Sequence, residues 1–376
     1  MFLPSRPMRA LRFALLAALL CAPTLLRAAE PRVVNVYNWS DYIDPALLTR
    51  FQQQTGITVR YDVYDSLETL EGKLLAGDSG YDVVVPTNEP TFSRLVRAGA
   101  LAPLDRAAIP ALAGLDPALM ARLATADPAA SSPAATHGAI YLWGTIGLGF
   151  DADRVAALAP DADRTSWSLL LDPANARRLA PCGITILDSA IDVIPSLLVA
   201  ASRPPDSHAA VDLADAAAGF AAIRPFIRGF AGAGAVEALA GGESCLVLTY
   251  SGDVIQAAAR SREAGRTAHI TYVTPREGAQ LWFDVLAIPA DAPHKEEAAA
   301  FIDFILRPDN IALVSNKVHY PNAVPASRAL IDPAISADPN VYPPPEAMAH
   351  FFTVGALPPD VARARSRLWS RLKAAQ

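Results

Sequence analysis

Along the first hundred positions, apolar and polar residues fall in short blocks whose period switches between two and about 3.6. Val33-Val-Asn-Val-Tyr37 is a short apolar run that predicts a strand. Asp44-Pro45 offers a cap and a first-turn proline for a helix through Phe51, with Gly56 beyond its end. Ile57 to Tyr64 alternates as a strand, and Leu67, Leu70, Leu74 and Leu75 carry helical spacing up to Gly77. Tyr81-Asp-Val-Val-Val85 predicts a third strand, followed by a helix from Pro90 that stops at Gly99. Strand and helix in alternation build a mainly parallel sheet covered on both faces. Ligands of such sheets lie beyond the carboxyl ends of the strands. Asn38-Trp39-Ser40-Asp41-Tyr42, after the first strand, and Pro86-Thr87-Asn88, after the third, are therefore expected to line one edge of a cleft.

A Pro- and Ala-rich stretch from about 102 to 136 reads as loops and short helices. Beyond it, Ile140 to Phe150 is a strand long enough to pass between two lobes. A second alternating set follows: a helix over 166–171, a strand Ile184 to Leu187, a helix near 192–201, a strand Cys245 to Tyr250, a helix over 253–264 and a strand His269 to Val273. Leu281 to Ile288 is a strand able to cross back, leading to a helix from about Lys295 to Leu306. The pattern gives two α/β lobes joined by at least two crossing segments, while the Ala-rich 208–240 region carries no readable local signal.

Composition narrows the setting. Arg6, Arg9 and Arg12 precede the apolar run Phe13 to Ala22, and the small residues Ala28 and Ala29 offer a cleavage point, the layout of an export signal over residues 1–28. That run is too short to span a bilayer, and Cys21 follows Leu19-Leu20 where a lipid-attachment signal wants a small residue. Removing residues 1–28 takes away four arginines and no acid. The formal charge then moves from −6 to −10, with 28 Lys and Arg facing 38 Asp and Glu. An acidic chain is a poor partner for nucleic acid. Roughly 350 remaining residues suggest two domains. Only Cys182 and Cys245 remain, either as one pair or as two separate buried thiols.

Catalytic signatures are missing: there is no His-Glu-x-x-His, Cys-x-x-Cys, phosphate-binding Gly-x-x-x-x-Gly-Lys or Gly-x-Ser-x-Gly. The histidines at 137, 208, 269, 294, 319 and 350 have no metal-ligand spacing. No enzyme, metal or cofactor is expected. What recurs is an aromatic ring near a carboxylate at a predicted strand end: Trp39 with Asp41, Tyr250 with Asp253, and Trp282 with Asp284. Taken singly, each is ordinarily a core ring and a helix cap. Together they suit an organic cation. An ammonium has three donors and no acceptor, so it leaves water only where carboxylates replace its hydration, and ring faces add cation–π attraction and an apolar wall for methylenes. Carboxylates at both ends with rings between would select a long dication.

Val36-Tyr-Asn-Trp-Ser-Asp-Tyr-Ile43 resembles the periplasmic putrescine/spermidine-binding proteins of bacterial ABC importers. So do segments 61–66, 70–74, 81–86, 182–188, 251–254, Trp282-Phe-Asp-Val-Leu-Ala-Ile-Pro289 and 342–345. The resemblance implies a two-lobed type II periplasmic-binding-protein fold of the α/β class with the ligand cleft between lobes. It implies a disulfide between Cys182 and Cys245, a polyamine ligand, a membrane permease as partner and a periplasmic location. Carried over by position, Trp39, Ser40, Asp41 and Thr87 come from the first lobe, and Asp192, Tyr250 and Asp253 from the second. Trp282 and Asp284 lie on the returning crossover, and Tyr320 after it. Asp41, Asp192, Asp253 and Asp284 would hold amines while Trp39, Tyr250, Trp282 and Tyr320 pack along the chain between them. Relatives often carry Ser at 87, Glu at 192 and Trp at 250, so the cleft has its own shape. The expected division is 29–140 plus 285–320 for one lobe and 141–284 plus 321–376 for the other, in a monomer. The alternative readings are a polyamine sensor feeding a chemoreceptor or signalling protein, and an exported enzyme.

Overall fold

A computed structural model describes residues 32–127, 136–232, 234–355 and 357–374. The export signal expected over residues 1–28, and part of the Pro- and Ala-rich stretch, lie outside the described residues. The described residues form ten strands: β1 (Val33–Trp39), β2 (Thr58–Tyr64), β3 (Val83–Val84), β4 (Leu101–Ala102), β5 (Gly138–Asp151), β6 (Ile184–Leu187), β7 (Gly229–Ala231), β8 (Leu246–Tyr250), β9 (Ile270–Val273) and β10 (Leu281–Pro289). They form one hydrogen-bonded path in the order β2-β1-β3-β10-β5-β8-β6-β7, with β4 on β10 and β9 on β5. The outer strands β1, β2, β3 and β6, β7, β8 pair in parallel within each half. β5 and β10 run antiparallel to each other and to their neighbours, so the chain crosses between halves on β5 and returns on β10. All 14 residues of β5 and all nine of β10 are buried, as befits strands covered on both faces.

Local chemistry explains the outer elements. Asp44 caps helix Pro45–Thr55 by accepting from the Ala46 amide at 2.9 Å, and Gly56 ends it at φ 71°. Ser66 caps Leu67–Leu75. The helix expected from Pro90 is instead a π-turn, Asn88–Phe92, leading into the short helix Ser93–Arg97. Glu89 sits at φ −129°, ψ 138° because a residue before proline is pushed out of the helical region. The Ala-rich region contains helix Ala210–Ile223, β7 and helix Gly234–Ala240. The helix expected from Lys295 runs over Lys295–Ile305, and the C-terminal part also includes the longer helices Pro308–Val318 and Pro359–Ala374. Cys182 and Cys245 form a disulfide with Cα atoms 5.5 Å apart, tying the turn before β6 to the start of β8.

Candidate functional site

The carboxyl ends of β1, β3, β6 and β8 open toward the middle of β10 and β5, and the polar residues gather there. Asp284 of β10 is 5% exposed. The register of β10 against β5 slips at this point: Asp284 faces Leu142 and Val285 faces Ile140, leaving Tyr141 as the extra residue of a bulge. Bulges re-aim side chains, and here the Tyr141 hydroxyl donates to the Tyr42 carbonyl at 2.7 Å. Tyr42 in turn donates its hydroxyl to one Asp284 oxygen at 2.7 Å, while Thr87 donates to the other at 2.6 Å. The Asn88 side-chain oxygen accepts from the Phe283 amide, fixing the strand beside Asp284. Burial pushes the Asp284 carboxyl up to about 6, against the bonds from Thr87 and Tyr42.

On the β8 side, Asp253 lies in the first turn of helix Ser251–Glu263, which follows β8 without a break. Its carboxylate accepts from the Thr249 hydroxyl at 2.9 Å and from Tyr320 at 3.5 Å. Burial raises it to about 6 as well. Asp192, in the first turn of helix Ala190–Ala200, takes three donors: Ser189 at 2.6 Å, Tyr250 at 2.8 Å and Gln280 at 3.0 Å. Its carboxyl is also raised, by burial first.

Aromatic rings fill the space between these carboxylates. Trp282 stands edge-on to Tyr250 at 5.9 Å and to Tyr320 at 4.9 Å, and Tyr320 is 6.2 Å from Tyr42. His319, at φ 60°, ends helix Pro308–Val318 and leads directly into Tyr320. The Tyr320 ring settles onto Gly252, and Trp282 onto Gly144. Burial, then the charges of Asp253 and Asp284, hold the Tyr320 phenol well above its ordinary pKa, so that ring lies within the field of both carboxylates.

The structure thus brings Thr87, Asp192, Tyr250, Asp253, Trp282, Asp284 and Tyr320 into one network. Trp39 lies tilted against Tyr64, ring centroids 4.6 Å apart, at the end of β1. Ser40 and Asp41 are exposed, Asp41 with a left-handed backbone at φ 54°. Tyr141, Ser189, Thr249 and Gln280 are members that sequence reasoning had not assigned. Tyr42 was expected on the cleft edge with the segment after β1, but without a role of its own. Among the described residues, no group of three or more His, Cys, Asp or Glu could hold a metal ion.

Comparisons with known proteins bear on the family and the fold. A profile of bacterial extracellular solute-binding proteins matches residues 46–343. The putrescine-binding periplasmic protein SpuD of Pseudomonas aeruginosa is 39% identical over 350 residues, covering 93% of this chain and 94% of its own. The putrescine-binding periplasmic protein PotF of Escherichia coli is 38% identical over 348 residues, 92% of each chain. Among solved structures, the spermidine/putrescine ABC transporter substrate-binding protein PotD of Streptococcus pneumoniae superposes with a TM-score of 0.80 at 24% identity, over 92% of this chain and 99% of its own, and carries the fold.

Proposed function

The chain belongs to the bacterial extracellular solute-binding protein family, and from that premise we propose how it works. It is a binding protein, not an enzyme: it captures a polyamine of the putrescine/spermidine class and delivers it to the permease of an ABC importer. It acts in the periplasm as a monomer after cleavage near Ala28. Asp284 and Asp253 receive the ligand's ammonium groups, with Thr87 and Tyr42 orienting the first carboxylate and Thr249 the second. Trp282, Tyr320, Tyr250 and Trp39 line the methylene chain, Asp192 holds Tyr250, and Ser40 and Asp41 form the rim. The lobes divide as 29–140 plus 285–320 and 141–284 plus 321–376. Support for that division is the bulge at Tyr141 and Asp284, where both crossing strands change register together.

One observation carries the reading: two carboxylates flank Tyr320, each pushed up by burial, and hydrogen bonds relieve them more than any protein cation does. A buried charge without a partner is costly, and a diammonium ligand removes that cost. Calorimetric titration with putrescine, cadaverine, agmatine and spermidine tests it. Asp284→Asn and Asp253→Asn are each expected to weaken binding by about 2–5 kcal/mol, because each leaves an ammonium facing no counter-charge. Wild-type affinity in both variants rejects the site.

A further inference from the structure

The C-terminal helix Pro359–Ala374 packs against helix Ala190–Ala200, the element that carries Asp192. Its Trp369 is buried, stands edge-on to Phe220 and Phe230 at 5.4 Å each, and donates from Nε1 to Asp188 Oδ1 at 2.9 Å. One turn later Lys373 reaches both oxygens of Asp188, at 2.6 and 2.7 Å. The helix end is itself held: Arg224 donates twice to the Lys373 carbonyl, at 3.0 and 2.7 Å. Burial works to raise the Asp188 carboxyl, but the bonds from Lys373 and Trp369 prevail and hold it below its usual value.

Asp188 is the first residue past β6, and its amide bonds the Ala231 carbonyl at 3.1 Å. The next residue, Ser189, donates to Asp192, which accepts the Tyr250 hydroxyl. Tyr250 faces Trp282. An unbroken chain of contacts therefore runs from the C-terminal helix to the ring wall of the site. We propose that Trp369 and Lys373 are positioning residues for ligand binding: by clamping Asp188 they hold Ser189 and Asp192, and through them Tyr250, in place against Trp282. The proposal rests on the polyamine reading of the site. The Lys373 pair alone would do little, since the Asp188 side chain is 39% exposed and solvent screens it. The buried indole bond and the helix packing supply the rigidity.

The test uses the Trp369→Phe/Lys373→Met double variant, which keeps an aromatic ring and an unbranched stem while removing both donors, and Asp188→Asn as a second variant that leaves the Trp369 packing intact. In the ligand-free protein, the first turn of helix Ala190–Ala200, whose Val193 amide bonds Ser189, is expected to exchange its amide hydrogens about fivefold faster or more. Putrescine affinity is expected to fall about five- to tenfold, and the loss to disappear in a Tyr250→Phe background, where the far end of the chain has already been cut. Unchanged exchange overturns the clamp, and so does a loss of affinity that persists in full beside Tyr250→Phe. A wild-type protein that takes up no polyamine while exchange still quickens in the variants overturns the ligand assignment and leaves the clamp standing.

Discussion

Gly144 and Gly252 show how single residues shape the ring wall. Neither has the positive φ that only glycine adopts with ease, so what each contributes is room. A Cβ on Gly144 would stand 2.4 Å from the Trp282 ring, and one on Gly252 would stand 2.2 Å from the Tyr320 ring. Gly252→Ala must therefore displace Tyr320 from beside Asp253, and Gly144→Ala must tilt the Trp282 indole. Each is expected to weaken polyamine binding by about tenfold or more while the fold persists, since overpacking costs about 1–3 kcal/mol. Calorimetry alongside circular dichroism checks this, and wild-type affinity in both variants would mean that the rings do not contact ligand. At this scale the sequence was legible where chemistry is local. The pairs at Tyr250/Asp253 and Trp282/Asp284 stand out within a few positions. The Tyr42–Asp284 bond joins residues 242 apart, and nothing near either one announces it. Gln280, whose amide braces Asp192, looks like any strand-end polar residue until the strands are paired.

Elements were readable where punctuation and period agree. Asp44-Pro45 and Gly56 bracket a helix as their chemistry requires, and β6 runs over Ile184–Leu187 as its apolar run predicts. In the 208–240 region the signal fails for a physical reason: alanine is tolerated on either face of a helix, so an Ala-rich helix such as Ala210–Ile223 shows no stripe. At Pro90 the helical pattern was present, but the residue before proline could not follow it. The bulge that aims Tyr141 had no visible mark, because it arises from the pairing of two strands rather than from either one. The Cys182–Cys245 disulfide also belongs to this scale, since it joins the entry of β6 to the entry of its parallel neighbour β8 across a separation of 63 residues. These strands deliver Asp192 and Asp253, so the cross-link braces the half of the site that holds them. Replacing both cysteines by serine is expected to cost about 4 kcal/mol of unfolding free energy by loss of chain constraint, read from the urea midpoint. An unmoved midpoint would show that packing alone aligns the two strands.

For the whole molecule, the proposed site ties binding to protonation. Asp284 and Asp253 are raised to about 6 from an ordinary 3.8, by burial in both cases. The ligand-free fold thus holds these protons more tightly than the unfolded chain does. The pair withdraws stability above about pH 6, and that penalty is gone below the unfolded value near 3.8. A diammonium ligand reverses the preference: it needs both carboxylates charged, so below about pH 6 it must expel protons before it can bind. Polyamine affinity is therefore expected to be flat above about pH 7 and to fall as the pH drops through 6. The slope is about tenfold per pH unit for each proton expelled, and about a hundredfold where both leave together. Titration in buffers of different ionisation enthalpy counts those protons directly. Asp284→Asn is expected to remove one of them and flatten the slope by about one power of ten per unit, whereas Thr87→Val, which removes a donor that favours the charged form, is expected to move the fall to higher pH. An affinity that stays constant from pH 5 to 8, to within about twofold, would mean that the two carboxylates are already solvated in the open protein, and that the ligand finds charges ready rather than creating them.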